Sequence, residues 1–338
     1  MTDARDPDTV APERLRVGVL GLGRMGLPVA LRLRAAGHDV EGYDPDPLRL
    51  ARFRESPDPR VPDRAETSWE ARFGTSGGPR GWEPDVLVSV LPGPAELTIA
   101  MVGDASPAEA GAPEQDGALA TLRAGALWVD LTSGDPRVSR ALASVAAARG
   151  VHAVGAPMAG GPADAGTGAL GFFVGGAPEA VERALPLLRV LGDPDRLERA
   201  GDEVGAGHVA KLLANTLWFG QVAAVVEALL IGRAQGIEPE QLAAILRRSA
   251  GGGAFLDRHL DALLDGDYLE TFGIDRVVEE LDTVVGLAAD AHLPVALTRL
   301  VARLHHEALD RFGPVDGELL VARLLEERAG TRIRRSSS

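Results

Sequence analysis

One helix-forming stretch carries two side chains that could move a proton and orient a reacting group. It reads GAGHVAKLLANTLW, residues 205–218, and Lys211 is the only lysine of the chain, the other 34 of its 35 basic residues being arginine. Gly207, Lys211 and Asn215 recur every four residues, so in a helix they share one face. Among its Val, Ala and Leu neighbours the lysine would be buried, and burial favours a neutral amine, which accepts a proton as arginine cannot. The spacing predicts the wall of a substrate site, although a compositional bias towards arginine, with Lys211 on the surface, would explain the same count.

A glycine-rich turn earlier in the chain predicts a dinucleotide cofactor for that site. The run VGVLGLGRMG contains the pattern G-x-G-x-x-G between an apolar strand and a helix, where glycines let the backbone approach a pyrophosphate. The second strand ends in Asp44, which can bind ribose hydroxyls and would repel a 2′-phosphate. NAD is therefore favoured over NADP. Binding of NADP stays possible because of the nearby Arg49. The predicted cofactor-binding residues here are Gly21, Leu22, Gly23, Arg24, Met25, Gly26 and Asp44.

Composition narrows the class of partner. The formal net charge of −14 disfavours nucleic acid and anionic membranes as binding partners. The remaining class of partner is a small molecule, which hydrogen-bond donors within its site would have to hold. The chain has no cysteine, so disulfides and thiolate metal sites are excluded, and its histidines show no metal-ligand spacing; we expect no metal. The acidic, polar start and apolar stretches too short for a bilayer predict a cytoplasmic protein without a secretory signal.

The order of elements predicts an α/β fold, a Rossmann-type doubly wound domain followed by an all-α domain. Strand-like apolar runs alternate with helices as far as residue 176, and from about residue 205 the pattern is helical. Residues 55–83 and 103–122 are interpreted as insertions. The predicted divisions are a disordered tail at 1–14, a dinucleotide-binding domain at 15–204, an all-α substrate and dimerisation domain at 205–330, and a disordered tail at 331–338.

Four stretches together resemble the β-hydroxyacid dehydrogenase family, which includes 3-hydroxyisobutyrate dehydrogenase, tartronate semialdehyde reductase and, more distantly, 6-phosphogluconate dehydrogenase. They occur in the family's order over roughly residues 16–312, and they are GLGRMGLPVALRLRAAGHDVEGYD, VDLTSGDP, GAPMAGGPADAGTGALGFFVGG and GAGHVAKLLANTLWFGQVAAVVEAL. The resemblance implies an NAD-dependent oxidoreductase. It would transfer hydride between nicotinamide and the carbinol or carbonyl carbon of a small β-hydroxy acid or related semialdehyde.

The resemblance also implies roles for individual residues. Lys211 matches the catalytic lysine, which takes the hydroxyl proton in oxidation and returns it in reduction. Asn215 matches an amide that orients the reacting oxygen, and the backbone N–H groups of Gly160 and Gly161 would hold a substrate carboxylate. The remaining expected contacts are Leu91, Pro92 and Ser133 on the nicotinamide side, and Ala159 and Phe272 in the substrate pocket.

Departures from the family pattern bear on the substrate. Ala159 stands where the family has a substrate-contacting serine, Ala214 where many members have asparagine or histidine, and Glu279 with Glu280 where a Lys-Asp pair lies near the cofactor. These changes remove donors for a small carboxylate. They favour a substrate that is less anionic, or one with an amine that faces Glu279 or Glu280. The alternative is that Glu279 points to solvent and the usual acid binds.

Two other functions stay open from the sequence. An imine reductase would share this architecture, although such enzymes commonly have another proton donor at the position of Lys211. A non-catalytic dinucleotide-binding protein would keep the fold and lose the reaction. The apolar residues that surround the long helix predict burial between layers or subunits, and therefore a homodimer or homotetramer.

Overall fold

The computed structural model describes residues 14–56, 83–103, 117–270 and 272–335. Almost all of the predicted tail at 1–14 and of the predicted insertion at 55–83 lies outside these residues. The chain divides into two compact units, Met1–Lys211 and Leu212–Ser338. The division falls within one continuous helix, Gly205–Ala234, which begins at the predicted domain boundary.

The described part of the first unit is built on one eight-stranded sheet. Its strands are β1 (Arg16–Leu20), β2 (Asp39–Tyr43), β3 (Val86–Ser89), β4 (Leu127–Asp130), β5 (His152–Gly155), β6 (Met158–Ala159), β7 (Leu170–Gly176) and β8 (Gly192–Gly201). The order is β2-β1-β3-β4-β5-β7-β6, with β8 paired to β7. β1 to β5 pair in parallel, and β7 runs antiparallel to β5 and β6 but parallel to β8. The carboxyl ends of the first four strands therefore meet at one edge of the sheet.

Helices cover both faces of this sheet. They are α1 (Gly26–Ala35), α2 (Pro47–Glu55), α3 (Pro94–Val102), α4 (Pro136–Ala148), α5 (Pro162–Thr167) and α6 (Pro178–Leu191). Along β3, Val86 and Val88 pack in one core with α1 and α6, while Leu87 points to the other face and packs with α3 and α4. Burial on both faces explains the continuous apolar run of this strand. The predicted doubly wound α/β fold is confirmed.

β8 is a strand that the sequence pattern does not reveal. Its sequence, GDPDRLERAG, has one large apolar residue, Leu197, so no alternation is visible. Backbone pairing with β7 holds it, and Arg199 adds a hydrogen bond from its Nη2 to the Gly176 carbonyl at 3.0 Å. A strand with mostly exposed side chains gives no hydrophobic signal.

The end of the second predicted insertion belongs to the core. Residues 117–122 are described, and Ala118–Thr121 forms a short 3₁₀ helix in which Ala118 and Leu119 are buried. Both pack in the cluster that contains Trp128 and Met101. The interpretation of this segment as a loop is wrong here, whereas residues 104–116 lie outside the described residues.

The second unit is helical, as predicted. Its elements are α7 (Gly205–Ala234, shared with the first unit), α8 (Pro239–Arg247), α9 (Ala254–Arg258), α10 (Leu260–Asp265), α11 (Ile274–Asp290), α12 (Ala296–Phe312) and α13 (Leu320–Ala329). α7 contributes Phe219, Val222, Val226 and Leu229 to the core of this unit. Because these positions recur every three or four residues, they form one apolar stripe along the helix.

Within a single chain α7 is not buried on all sides. Leu213, Leu217 and Ile231 are exposed, Leu217 to 69%. Among the described residues, α7 is also the one helix that is long and apolar enough to cross a membrane by length and composition, so the expectation that this stretch is too short does not hold on that criterion. Part of its apolar surface packs in the helical core, and part is open to solvent.

The C-terminal residues 331–335 are held in place, which corrects the prediction of a disordered tail there. Ile333 is fully buried, and its N–H donates to Glu326 Oε1 at 2.6 Å. Arg334 donates to the same carboxylate at 2.9 Å, and Arg335 donates to Asp265 at 2.6 Å. The buried Ile333 and the ion pairs of Arg334 and Arg335 hold this segment in place, although its polar composition is typical of a flexible chain end. Residues 336–338 lie outside the described residues.

His305 gives the second unit a dependence on pH. The side chain is fully buried on α12 beside the Phe219 ring, with Nδ1 at 2.8 Å from the Val301 carbonyl. Burial lowers the pKa of His305 from 6.5 to about 4. The folded state therefore binds this proton less readily than the unfolded chain does.

We expect the free energy of unfolding to fall as pH drops from about 6.5 to about 4, because His305 takes up a proton more easily when unfolded. Its contribution is fully present above pH 6.5 and amounts to about 3 kcal/mol at most. Urea unfolding at a series of pH values measures it. His305→Phe should flatten the acid-side decline, whereas His152→Gln, at an exposed position of β5, should not. An equally steep decline in His305→Phe would contradict this assignment.

Candidate active site

The turn between β1 and α1 is tight at its two ends and open in its middle. Gly21 has φ +88°, and a side chain there would overlap the Val90 carbonyl. A side chain at Gly26 would overlap the Gly21 carbonyl, whereas at Gly23 the nearest atom is Arg49 Nη1 at 3.7 Å. The two outer glycines are thus required by the fold of the turn. The middle glycine leaves its backbone accessible, as a pyrophosphate cradle requires.

Asp44 follows β2 and is tied to the same turn. Its Oδ2 accepts the Leu22 N–H at 2.8 Å and its Oδ1 accepts the Asp46 N–H at 2.9 Å. Arg49 places Nη1 3.6 Å from Asp44 Oδ2 and Nε 3.4 Å from Asp46 Oδ2. The turn, the helix N-terminus and the carboxylate together fit a dinucleotide. In the same turn Arg24 is exposed and Met25 is half-buried.

Alanine substitutions should separate the two functions of these glycines. Gly26→Ala is expected to destabilise the first unit by roughly 1–3 kcal/mol, since the turn must distort to admit the methyl group. Gly23→Ala should leave the free energy of unfolding unchanged and weaken cofactor binding. Urea unfolding and titration with NAD measure the two effects. Equal loss of stability in both variants would contradict the distinction.

The segments that follow β3 and β4 are joined by hydrogen bonds at the same sheet edge. The Leu91 N–H donates to Thr132 Oγ1 at 3.2 Å, and the Thr132 N–H donates to Asp130 Oδ1 at 3.0 Å. Pro92 is exposed and Ser133 is half-buried beside them. The residues predicted on the nicotinamide side therefore lie at the carboxyl ends of neighbouring parallel strands, the usual ligand position in such sheets.

Asp130 is the centre of a buried polar network that the sequence did not reveal. Its carboxylate is fully buried, and Oδ1 also accepts the Ser89 hydroxyl at 2.8 Å. Ser89 Oγ in turn accepts the Trp128 Nε1–H at 2.9 Å. The available signal was a lone acidic residue in the apolar strand LWVD. Nothing in the sequence pairs it with Ser89, which lies 41 residues away.

The other oxygen of Asp130 faces α4 and α7. Ser139 donates to Oδ2 at 3.3 Å, and His208 Nε2 lies 3.2 Å from both Oδ2 and Ser139 Oγ. His208 is 1% exposed, and a side chain at Gly155 would overlap its ring. His208 is therefore a packed histidine of the interior. The network thereby links the strand edge to the first turn of α7.

Lys211 follows His208 by three residues on α7, and its side chain is 6% exposed. Burial of the residue restricts the conformations open to its side chain. Asn215 lies one turn further on the same helix, where Nδ2 donates to Glu280 Oε2 at 2.6 Å. Glu280 is also buried, whereas Glu279 is half-exposed and pairs with Arg276 at 2.7 Å. Of the two glutamates, Glu280 is therefore the one that faces inward.

The predicted substrate loop differs from expectation at one glycine. Ala159 ends β6, and Gly160 has φ +126°. The Gly161 N–H, expected to be available to a substrate carboxylate, donates to Asp164 Oδ2 at 2.8 Å. Asp164 sits at the third position of α5 and caps its N-terminus, and the predicted substrate contact of Gly161 stays a prediction.

Phe272 is half-buried and packs against the core cluster of the second unit that contains Phe219 and Ile274. It lies directly before α11, the helix that carries Glu280. Its predicted role in substrate binding stays a prediction. Over the described residues, no group of three or more His, Asp or Glu side chains is arranged to hold a metal ion.

Comparison with known families agrees with this geometry. Residues 16–204 match the NAD binding domain of 6-phosphogluconate dehydrogenase, and residues 205–325 match the NAD-binding domain of NADP-dependent 3-hydroxyisobutyrate dehydrogenase. The chain belongs to the β-hydroxyacid dehydrogenase family. As a β-hydroxyacid dehydrogenase homologue, it is an NAD(P)-dependent dehydrogenase or reductase, and the predicted resemblance is confirmed.

Individual relatives of this chain cover most of its length. A Pseudomonas aeruginosa 3-hydroxyisobutyrate dehydrogenase is 32% identical over 87% of this chain and 95% of its own. An NAD-dependent L-serine dehydrogenase of the same organism is 32% identical over 72% of each chain. A Mycobacterium tuberculosis 3-hydroxyisobutyrate dehydrogenase solved with L-serine has the same fold, with a TM-score of 0.74 at 21% identity over 92% of this chain and 99% of that chain. Solved imine reductases share the fold as well.

Proposed function

We propose that this enzyme transfers hydride between nicotinamide and the carbinol or carbonyl carbon of a small β-hydroxy acid or related semialdehyde, with Lys211 as general acid and base. The observation that supports this best is the burial of Lys211 on a helix that the Asp130 network anchors beside the strand edge. An amine can exchange a proton, and its fixed position makes that exchange efficient.

The bound nicotinamide would supply the hydride acceptor, in the cradle that we expect from Gly21–Gly26, Asp44, Leu91, Pro92 and Ser133. In alcohol oxidation the carbinol C–H bond breaks with its electron pair leaving as hydride, and Lys211 Nζ takes the hydroxyl proton. In carbonyl reduction Lys211 returns that proton to the oxygen. Asn215, on the same helix face, would orient the reacting oxygen.

NAD is the cofactor we propose, and the support is Asp44. A buried carboxylate at the end of β2 accepts hydrogen bonds from ribose hydroxyls and repels a 2′-phosphate. Arg49 is engaged with Asp44 and Asp46, so it is committed to carboxylates in this structure. Titration with NAD and NADP tests this proposal, and tighter binding of NADP would contradict it.

The reaction is tested by following nicotinamide absorbance with the purified enzyme. Small β-hydroxy acids would be offered with NAD or NADP, and the matching semialdehydes with NADH or NADPH. Turnover of at least one pair in both directions would support the proposal. Absence of turnover, together with tight NAD binding, would favour a non-catalytic dinucleotide-binding protein. Reduction of cyclic imines alone would favour an imine reductase.

We further propose a homodimer or homotetramer in the cytoplasm. The apolar surface of the second unit supports self-association. Four leucines are exposed there, Leu213 and Leu217 on α7 and Leu297 and Leu300 on α12. Exposed apolar surface of this kind is typical of subunit contacts. Sedimentation equilibrium measures the assembly, and a monomer at micromolar concentration would contradict it.

A further inference from the structure

The first turn of α7 lies against a patch of the sheet that has no side chains. Gly155 of β5 and Gly175 of β7 are directly opposite each other in the antiparallel pairing of these strands. Paired residues of neighbouring strands point to the same face of a sheet, so the two glycines leave that face bare. A side chain at Gly155 would overlap the Val204 carbonyl oxygen, directly before α7. The backbone of α7 therefore packs directly on the backbone of the sheet.

Gly175 and Gly207 make this contact from its two sides. A side chain at Gly175 would begin 2.5 Å from the Glu203 carbonyl oxygen and 2.7 Å from the Gly207 nitrogen. A side chain at Gly207 would overlap the Phe173 carbonyl oxygen and begin 2.9 Å from the Gly155 carbonyl oxygen. These neighbours are backbone atoms, which cannot rotate aside as the end of a flexible side chain does. Even a methyl group fits only if α7 moves away from the sheet.

Gly207 is linked to Lys211 by the geometry of the helix. The two residues are four positions apart and lie on the same face of α7, one turn from each other. Both belong to the first unit, Met1–Lys211, and Lys211 is 6% exposed. Glycine inside a helix weakens it, so a packing reason is expected at Gly207, and the contact with the sheet supplies that reason.

We infer that Gly155, Gly175 and Gly207 are positioning residues for Lys211. Their close backbone contact fixes the height and the rotation of α7 on the sheet, and with them the place of the Lys211 amine. This rests on the proposed function, in which that amine exchanges the proton of the reacting oxygen. Displacement of a reacting group by about 1 Å can slow a reaction by about 100-fold, so a larger residue at this contact should slow the reaction.

Gly207→Ala is the test, and Gly220→Ala on the same helix is its matched control. Both changes add one methyl group and favour the helix equally, but at Gly220 the nearest atom is Val301 Cγ2 at 3.7 Å, an ordinary contact. The full-length enzyme would oxidise 3-hydroxyisobutyrate or serine, whichever it turns over faster, with saturating NAD. Expressing kcat per NAD-binding site leaves unfolded protein out. We expect Gly207→Ala to lower kcat by about 100-fold with an unchanged Kd for NAD, and Gly220→Ala to match the wild type.

A double variant shows whether Gly207 acts through Lys211. Once Lys211 is replaced by methionine, no amine is left to be displaced, so adding Gly207→Ala should lower kcat no further. A contact that only stabilises the fold, or that acts on another part of the site, would lower kcat by the same factor with and without Lys211. The comparison of the two factors therefore separates positioning from structure.

Separate outcomes overturn the two proposals. Wild-type kcat in Gly207→Ala, or equal factors with and without Lys211, would overturn the inference and leave the role of Lys211 in place. Equal turnover by Lys211→Met and the wild type would overturn the proposed function, and the inference with it. If Gly207→Ala does not fold, hydrogen exchange of the wild type decides. The N–H groups of residues 209–211 should then exchange as slowly as those of β5 and β7, and exchange as fast as in the last turn of α7 would overturn the inference.

Discussion

Replacing Lys211 by methionine is expected to lower kcat by roughly 100- to 10,000-fold, the range that a positioned acid or base contributes. Methionine has a similar length and no charge, so the buried position on α7 stays filled. Cofactor affinity should not change, because the turn and Asp44 are untouched. The measurement is steady-state oxidation of the best alcohol, beside calorimetric titration with NAD.

Lys211→Arg and added amines make this test specific for proton transfer. Arginine keeps the positive charge but cannot act as a base, so its loss of kcat should be as deep as that of methionine. Lys211→Ala should regain part of its rate when small primary amines are added, with a dependence on the basicity of the amine. Equal turnover by the wild type and Lys211→Met would contradict the role of Lys211 as acid and base.

Much of the nucleotide-binding half is predictable from local sequence. The G-x-G-x-x-G turn can be recognised because Gly21 needs positive φ and Gly26 has no space for a side chain. β3 can be recognised because burial on both faces demands a continuous apolar run. β8 cannot be recognised from the sequence, because its backbone pairs with β7 while most of its side chains face solvent. A hydrophobic pattern in the sequence reflects the burial of side chains, and a polar edge strand buries almost none of its side chains.

The candidate site is also predictable only where the signal is local in the sequence. The helical spacing of Lys211 and Asn215 follows from sequence alone, whereas the partner of Asn215, Glu280, is 65 residues away and has no local signature. Asp164 could have been recognised, since an acidic residue three positions after the start of a helix commonly caps it. The family pattern led instead to the expectation of an open Gly161 N–H. A motif gives the residues of a site but not which of their donors are already in use.

Removing the Asp130 carboxylate should be the most damaging single change to the stability of the first unit. Asp130→Ala leaves the buried donors of Ser89 and Ser139 and the His208 ring without their shared acceptor. We expect a loss of about 3–5 kcal/mol in the free energy of unfolding, the range for breaking a buried charged network. Urea unfolding measures it, and Asp135→Ala, which removes the N-cap of α4, should cost only about 1 kcal/mol.

The same carboxylate should affect catalysis through the loops that it holds. Asp130→Asn keeps the size of the side chain and one acceptor oxygen, so the loss of stability should be smaller than in Asp130→Ala. The Thr132 N–H and, through Thr132 Oγ1, the Leu91 N–H depend on this position, so NAD affinity should fall. His208→Phe removes only the contact to α7, and we expect kcat to fall with little change in NAD affinity. If His208→Phe weakened NAD binding and left kcat unchanged, the network would hold the loops but would not position Lys211.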